Sequence, residues 1–292
     1  MQPSRYAGPG FFPLDANPAA HISRVPFAHT LGFVWQSGAA DRVARVLLPF
    51  GPTVSHGEPA GIDPLALLAL LDHACSAAVY LALPRPSLIA TVDLRCELLH
   101  PVPPGADVVG TARAEYLDDQ FAIVRAEAAC TRTGQRLALA SSTFAIGTHP
   151  GMAGRDIDPC AWHRPPAPRE RHAGFRAMLG LQPHGSEWHL PFHPRLVGAV
   201  SLPAVHGGAS FAALTLAALQ FAECAIEPAR RWRPLGLSAN YLRAVKADTL
   251  VIRPALRKAG PRSCVVSASS HQSDPARQAV HAELLLASHD TA

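Results

Sequence analysis

The run Pro64–Leu83, PLALLALLDHACSAAVYLAL, restricts the fold more than any other part of the chain. At about 20 residues it could cross a bilayer as a helix, and it is apolar on nearly every face. Asp72 and His73 interrupt it at the centre. A carboxylate in apolar surroundings is costly unless it is paired, neutralised or used. The run is therefore either a membrane helix with a functional acid or a soluble helix covered by protein all round. Asp63 and Pro64 mark its start, as an N-cap and a first-turn proline, and Pro84 marks its end. Ala69, Cys75 and Ser76 lie three or four positions from Asp72, so small residues crowd that face and suit close packing.

A second copy decides between the two. Gly207–Ile226, GGASFAALTLAALQFAECAI, is another apolar run of helical length. Each run is followed by an extended segment with a similar ending, LRCELLHPV at Leu94–Val102 and LSANYLRAV at Leu237–Val245. Residues 102 and 245 lie 143 apart, and the same spacing sets His206 against Asp63, Thr215 against Asp72 and Pro234 against Thr91. A constant offset through helix and strand indicates an internal duplication. Two lone helices, each followed by water-compatible strands, read as two copies of one soluble unit.

The 292-residue length suits two domains, and 48% hydrophobic residues are ample for a core. A net charge of +4 without a dense basic block gives no reason to expect nucleic acid. Six cysteines, Cys75, Cys96, Cys130, Cys160, Cys224 and Cys264, are widely spread without a C-x-x-C pair. They read as reduced thiols of a cytoplasmic protein. Residues 1–26 lack the apolar centre of a signal peptide and read as an arm.

His29–Gln36 and Val43–Phe50 read as short strands, and Pro52–Gly61 as a loop. Leu88–Val102 reads as a long strand, with Val92, Leu94, Cys96 and Leu98 alternating against Thr91, Asp93, Arg95 and Glu97. Asp107–Tyr116, Gln120–Arg132 and Arg136–Ile146 complete an antiparallel meander. Residues 148–174, rich in Pro, Gly and Arg, read as a linker. Strands near Pro234–Val245, Thr249–Arg257, Ser263–His271 and Arg277–Ser288 repeat the plan. The expected class is α+β, with two domains at 27–147 and 175–292. Each would set one long helix against a curved antiparallel sheet, and the twin half would cover the helix's far side.

His206-Gly207-Gly208, nine positions before Thr215, resembles the H-G-G-x6-D signature of hotdog-fold acyl-CoA thioesterases, and among them the phenylacetate-pathway type. The strand ends LLHPV and YLRAV resemble that family's L-x-P or L-R-P ending. The resemblance covers both halves, and each departs from the pattern in a different place. The first has the acid, Asp72, but Asp63-Pro64-Leu65 in place of HGG; the second has HGG but Thr215 in place of the acid. In this family one subunit supplies the HGG backbone and the other the acid. The resemblance thus implies two tandem hotdog domains forming an intramolecular pseudo-dimer. One site would be complete, with Asp72 facing His206, Gly207 and Gly208, and the reciprocal site would have neither glycines nor acid.

The roles follow from the resemblance. Gly207 N–H, with Gly208 next, would hold the oxyanion of a thioester at a helix N-terminus. Asp72 would act as general base or as nucleophile. Thr91 stands where the family often has Ser or Thr near the acid, although the strand's alternation sets it on the polar face. Val200 stands where the family often has Asn. His206 would position the loop or the substrate, and His73 would be packing.

No cofactor or metal is implied, and His184, His189 and His193 lack ligand spacing. The substrate would be an acyl-CoA, with acyl-carrier protein left open, as is pairing of the pseudo-dimer into a homodimer. No membrane or nucleic-acid partner is expected. Arg95, Arg243, Lys246, Lys258 and Arg262 are candidates for CoA phosphates.

Two other readings compete. Gly208-Ala209-Ser210-Phe211-Ala212 nearly matches the G-x-S-x-G elbow of α/β-hydrolases, with Ser210 as nucleophile, but that motif needs alternating β–α units. The other is a non-catalytic hotdog that binds acyl chains.

Overall fold

The computed structural model describes residues 25–37, 42–84, 87–147, 172–199, 202–226 and 231–289. Helix α1 (Pro26–Leu31), β1 (Val34–Trp35) and β2 (Val43–Leu48) come first, then a small hairpin of β3 (Ser55–His56) and β4 (Gly61–Ile62). The long helix α2 (Pro64–Ala82) leads to β5 (Ile89–Leu98), β6 (Val108–Leu117), β7 (Phe121–Cys130) and β8 (Arg136–Ile146). The second half runs α3 (Phe175–Leu179), β9 (Gln182–His184), β10 (Glu187–Leu190), β11 (Val197–Ala199) and β12 (Leu202–Val205). The second long helix, α4 (Gly207–Ala225), precedes β13 (Arg231–Tyr241), β14 (Leu250–Ala259), β15 (Ser263–His271) and β16 (Gln278–His289).

Twelve of the strands form one antiparallel sheet in the order β1-β2-β6-β7-β8-β5-β13-β16-β15-β14-β10-β9. The second six repeat the first six in mirror order. Each half wraps its long helix, and α2 and α4 pack on each other, which is the tandem hotdog arrangement of the α+β class. The seam lies between β5 and β13. There Arg95 pairs with Ser238, its own duplicate 143 residues later, while Glu97 pairs with Gly236 and Asp93 with Asn240. Applying the offset to this register returns the same register, so a pseudo-two-fold axis passes beside Arg95 and Ser238.

Both long helices are apolar enough to cross a membrane, but each is mostly buried within the protein. Leu65, Leu67, Leu68, Leu70 and Leu71 of α2 have no exposed surface, and each contributes about 2 kcal/mol of transfer free energy on burial. The sheet covers one side of α2 and α4 covers the other. This explains an apolar circumference without lipid.

Two local expectations are corrected. His29–Gln36 is not a strand: α1 occupies its beginning, and only Val34–Trp35 pairs with β2. Pro26 opens α1 at its first turn, and Gly32 closes it in the left-handed conformation (φ 77°), donating to Ala28 and His29 carbonyls. Helix α3 ends the same way at Gly180 (φ 72°). The sequences Phe27-Ala-His-Thr-Leu31-Gly32 and Phe175-Arg-Ala-Met-Leu179-Gly180 are therefore another repeated piece, 148 apart. The two short helices cross over: α1 packs on β11 and the Pro194–Leu196 turn, α3 on the Pro52–Val54 turn.

The second correction concerns β5. Its alternation breaks at a β-bulge between Thr91 and Asp93, where the register against β8 shifts. The bulge exposes Val92, which is 38% accessible. It also turns Thr91 toward the helices, as bulges do when they re-aim a side chain. Asp93 Oδ1 accepts from Thr143 N at 2.8 Å and closes the bulge. An equivalent shift in β13 falls between Pro234 and Gly236, at the same offset. Residues 148–171, and with them Cys160 and most of the expected linker, lie outside the described residues, as does Val200.

Candidate active site

The chain enters α4 through β12, and His206 caps the helix, its Nδ1 accepting from Gly208 N at 3.0 Å. Across the helix pair, Asp72 sits at mid-length of α2 and is 3% exposed. Its Oδ2 lies 2.6 Å from Gly208 N and 3.1 Å from His206 Nδ1. Thr91 Oγ1 donates to Asp72 Oδ1 at 3.2 Å. Asp72 and Thr91 from the first half thus meet His206 and Gly208 from the second.

The two glycines are needed for different reasons. A Cβ on Gly207 would stand 2.7 Å from Asp72 Oδ2, whereas one on Gly208 would stand 2.7 Å from Ala69 Cα. Gly207 lets the carboxylate approach; Gly208 lets the helix backbones approach. Gly208 N–H is engaged by Asp72 and His206. Gly207 N–H makes no hydrogen bond to the described residues, so it is the donor left at the N-terminus of α4 for an incoming acceptor.

His73 and Tyr241 join the cluster without having been expected there. His73 is 2% exposed, and its Nδ1 lies 3.4 Å from His206 Nε2. Phe33 packs on the His73 ring at 5.1 Å and Phe27 on the His206 ring at 4.9 Å, so α1 and the residue after its cap roof the site. Tyr241 Oη donates to Gly207 O at 3.0 Å. Burial and then the charge of Asp72 push the Tyr241 phenol and the Cys75 thiol well above their usual ranges. One sequence signal for Tyr241 existed: its duplicate is Leu98, so this half alone holds a hydroxyl there.

The reciprocal position has been rebuilt as an ion pair. Asp63, fully buried, caps α2 by accepting from Leu65 N at 2.9 Å, as His206 caps α4. Arg176 of α3 donates from Nε to Asp63 Oδ2 at 2.9 Å. Pro64 replaces Gly207 and has no N–H. Thr215 turns its hydroxyl back to Phe211 O at 2.9 Å. Replacing Arg176 by Ala leaves a buried carboxylate short of its partner. The expected outcome is a loss of about 1–3 kcal/mol of stability in a urea titration, with thioester hydrolysis unchanged.

Ser210, the nucleophile of the hydrolase reading, is 1% exposed in the first turn of α4 and donates to Gly207 O at 2.8 Å. The main sheet is antiparallel throughout, unlike the framework that such an elbow needs. His184 and His189 stack on each other at 4.6 Å within the β9–β10 hairpin. Of the proposed phosphate contacts, Arg243 donates from Nη1 to Gln278 O at 2.6 Å.

Residues 66–136 match the thioesterase superfamily model, and residues 198–287 match the acyl-CoA thioesterase N-terminal domain model. A comparison with curated protein sequences gives no significant match. Among solved structures, a tesB protein of Mycobacterium avium subspecies paratuberculosis is similar at 14% identity and a TM-score of 0.59 over 90% of this chain and 98% of its own. Acyl-CoA thioesterase II TesB2 of Mycobacterium marinum gives 13% identity and 0.54 over 90% and 98%. The 12:0-ACP thioesterase of Umbellularia californica gives 11% and 0.55 over 87% and 98%. At these identities the solved structures establish the shared fold.

Proposed function

We propose that this chain, whose two halves match thioesterase family models in tandem, is a thioester hydrolase that cleaves acyl-CoA to free acid and CoA at one composite site between its halves. The observation that carries this reading is the 2.6 Å contact of Asp72 Oδ2 with Gly208 N across the two helices. It places an acid from one half against the glycine turn of the other. The pairing of HGG with an acid nine positions into the helix follows the phenylacetate-pathway type, here divided between the halves.

The thioester carbonyl oxygen takes the hydrogen bond of Gly207 N–H, where the α4 dipole favours negative charge. Asp72, held by the Thr91 hydroxyl and Gly208 N–H, takes a proton from water as the water oxygen adds to the carbonyl carbon. The tetrahedral oxyanion rests on Gly207 N–H. It collapses by breaking the C–S bond, and the departing thiolate takes up the proton. Substrate must displace the α1 roof or enter beside it, since Asp72 and His206 are nearly enclosed. The domains are taken as 27–147 and 175–292. The five described cysteines are all free thiols, which suits a cytoplasmic setting.

Purified protein incubated with a panel of acyl-CoAs of increasing chain length and a thiol reagent tests the reading. Thiol release with at least one chain length is expected. No release with any of them would favour a protein that binds acyl chains without cleaving them. The corresponding acyl-carrier-protein thioesters, run alongside, decide the carrier.

A further inference from the structure

Tyr241 is the last residue of β13, partly buried, and its phenol O–H donates to Gly207 O at 3.0 Å. That carbonyl and Gly208 N–H belong to one peptide unit, and the N–H donates to Asp72 Oδ2 at 2.6 Å. Donation to an amide carbonyl polarises the amide N–H, so consecutive bonds of this kind strengthen one another. One hydrogen-bonded chain therefore runs from the sheet, through the peptide at the helix start, to the carboxylate. Ser210 Oγ also reaches Gly207 O at 2.8 Å but sits 3.4 Å from His206 O as well, the local back-bond of a helical serine. Among the described residues, only Tyr241 ties this carbonyl to the sheet. Burial, and after it the charge of Asp72, hold the phenol protonated through the neutral range, so it remains a donor.

The duplication isolates the role. Residues 143 apart give Leu98 for Tyr241, Pro234 for Thr91, Asp63 for His206 and Thr215 for Asp72. A tyrosine needed only to pack the strand end would serve both halves equally. It stands instead in the half whose helix start carries the glycines.

We infer that Tyr241 is a positioning residue of the hydrolase, fixing Asp72 and the first turn of α4 to each other through the peptide between Gly207 and Gly208. The inference rests on the thioesterase reading above. Its effect falls on the chemical step, because the peptide it holds carries the acid's partner while the neighbouring N–H stays open to substrate.

Tyr241→Phe keeps the ring and removes the donor. With the acyl-CoA that wild type hydrolyses fastest, kcat is expected to fall about tenfold with KM within about twofold, the pattern of lost alignment rather than lost binding. The Gly208 amide proton should move upfield in a 15N–1H spectrum. Should this variant fail to fold, 3-fluorotyrosine placed at position 241, a stronger donor, should move the same amide downfield. An unchanged kcat in the presence of an active wild type, or an unmoved Gly208 amide, overturns the role of Tyr241 and leaves the thioesterase reading standing. Absence of hydrolysis by wild type with every acyl-CoA and acyl-carrier-protein thioester overturns that reading and takes this inference with it.

Discussion

Asp72→Asn is expected to lower acyl-CoA hydrolysis by roughly two to four orders of magnitude, the range for a lost general base. Asparagine keeps the side-chain shape: its one carbonyl oxygen can still accept from Gly208 N, and its NH2, in place of the oxygen that meets Thr91, can donate to the Thr91 hydroxyl. What it cannot do is take a proton from water. The change should therefore appear in kcat, with the melting temperature little altered. Thr215→Val is the matched control, because Thr215 occupies the duplicate position and only returns its hydroxyl to Phe211 O. Its activity should stay within about twofold of wild type, since a helical back-bond contributes little. Comparable small effects from both changes would show that the chemistry lies elsewhere.

Gly207→Ala should cost about a hundredfold or more in kcat, the order seen when one oxyanion donor is lost. The new Cβ would lie 2.7 Å from Asp72 Oδ2, closer than a carbon and an oxygen can sit. The carboxylate must swing away, and the path to Gly207 N–H narrows at the same time. Stability should change little, because alanine is favoured over glycine in a helix by about 1 kcal/mol. Gly208→Ala should behave in the opposite sense. There the obstacle is the Ala69 backbone, which cannot step aside as a side chain can, so the helices must part. A loss of about 1–3 kcal/mol, as for overpacked cores, should appear in denaturant titrations. Kinetics and unfolding run on both variants separate the two glycines' roles.

The architecture was legible because the chain repeats itself. The offset of 143 that joins the long helices to their strands also governs the seam, where Arg95 pairs with its own duplicate. Apolar helices without lipid were readable for the same reason, since each half supplies the cover that the other lacks. Local details escaped where a single residue breaks a period. Pro26 and the left-handed Gly32 make a helix of a segment whose Phe, Val and Trp suggest a strand. Strict alternation would turn Val92 inward and Thr91 outward, and the bulge reverses this.

At the site, Asp72 stood out through its position in an apolar helix, and the HGG turn through its resemblance to the thioesterase signature. Tyr241 and Arg176 did not, because a tyrosine in a strand and an arginine near a linker are common in any fold. Only comparison of duplicate positions, Tyr241 with Leu98 and Ala28 with Arg176, marks them as specific to one half. At the reciprocal position the Arg176–Asp63 charge pair stands where the other half keeps a histidine cap.

The most direct measurement of a single composite site is the stoichiometry of a non-hydrolysable thioether analogue of the best acyl-CoA substrate, determined by calorimetry on the whole chain. One analogue per chain is expected, because the reciprocal position has Pro64 where an N–H is required and is held by the Asp63–Arg176 ion pair. Two analogues per chain, bound with similar affinity, would contradict the account.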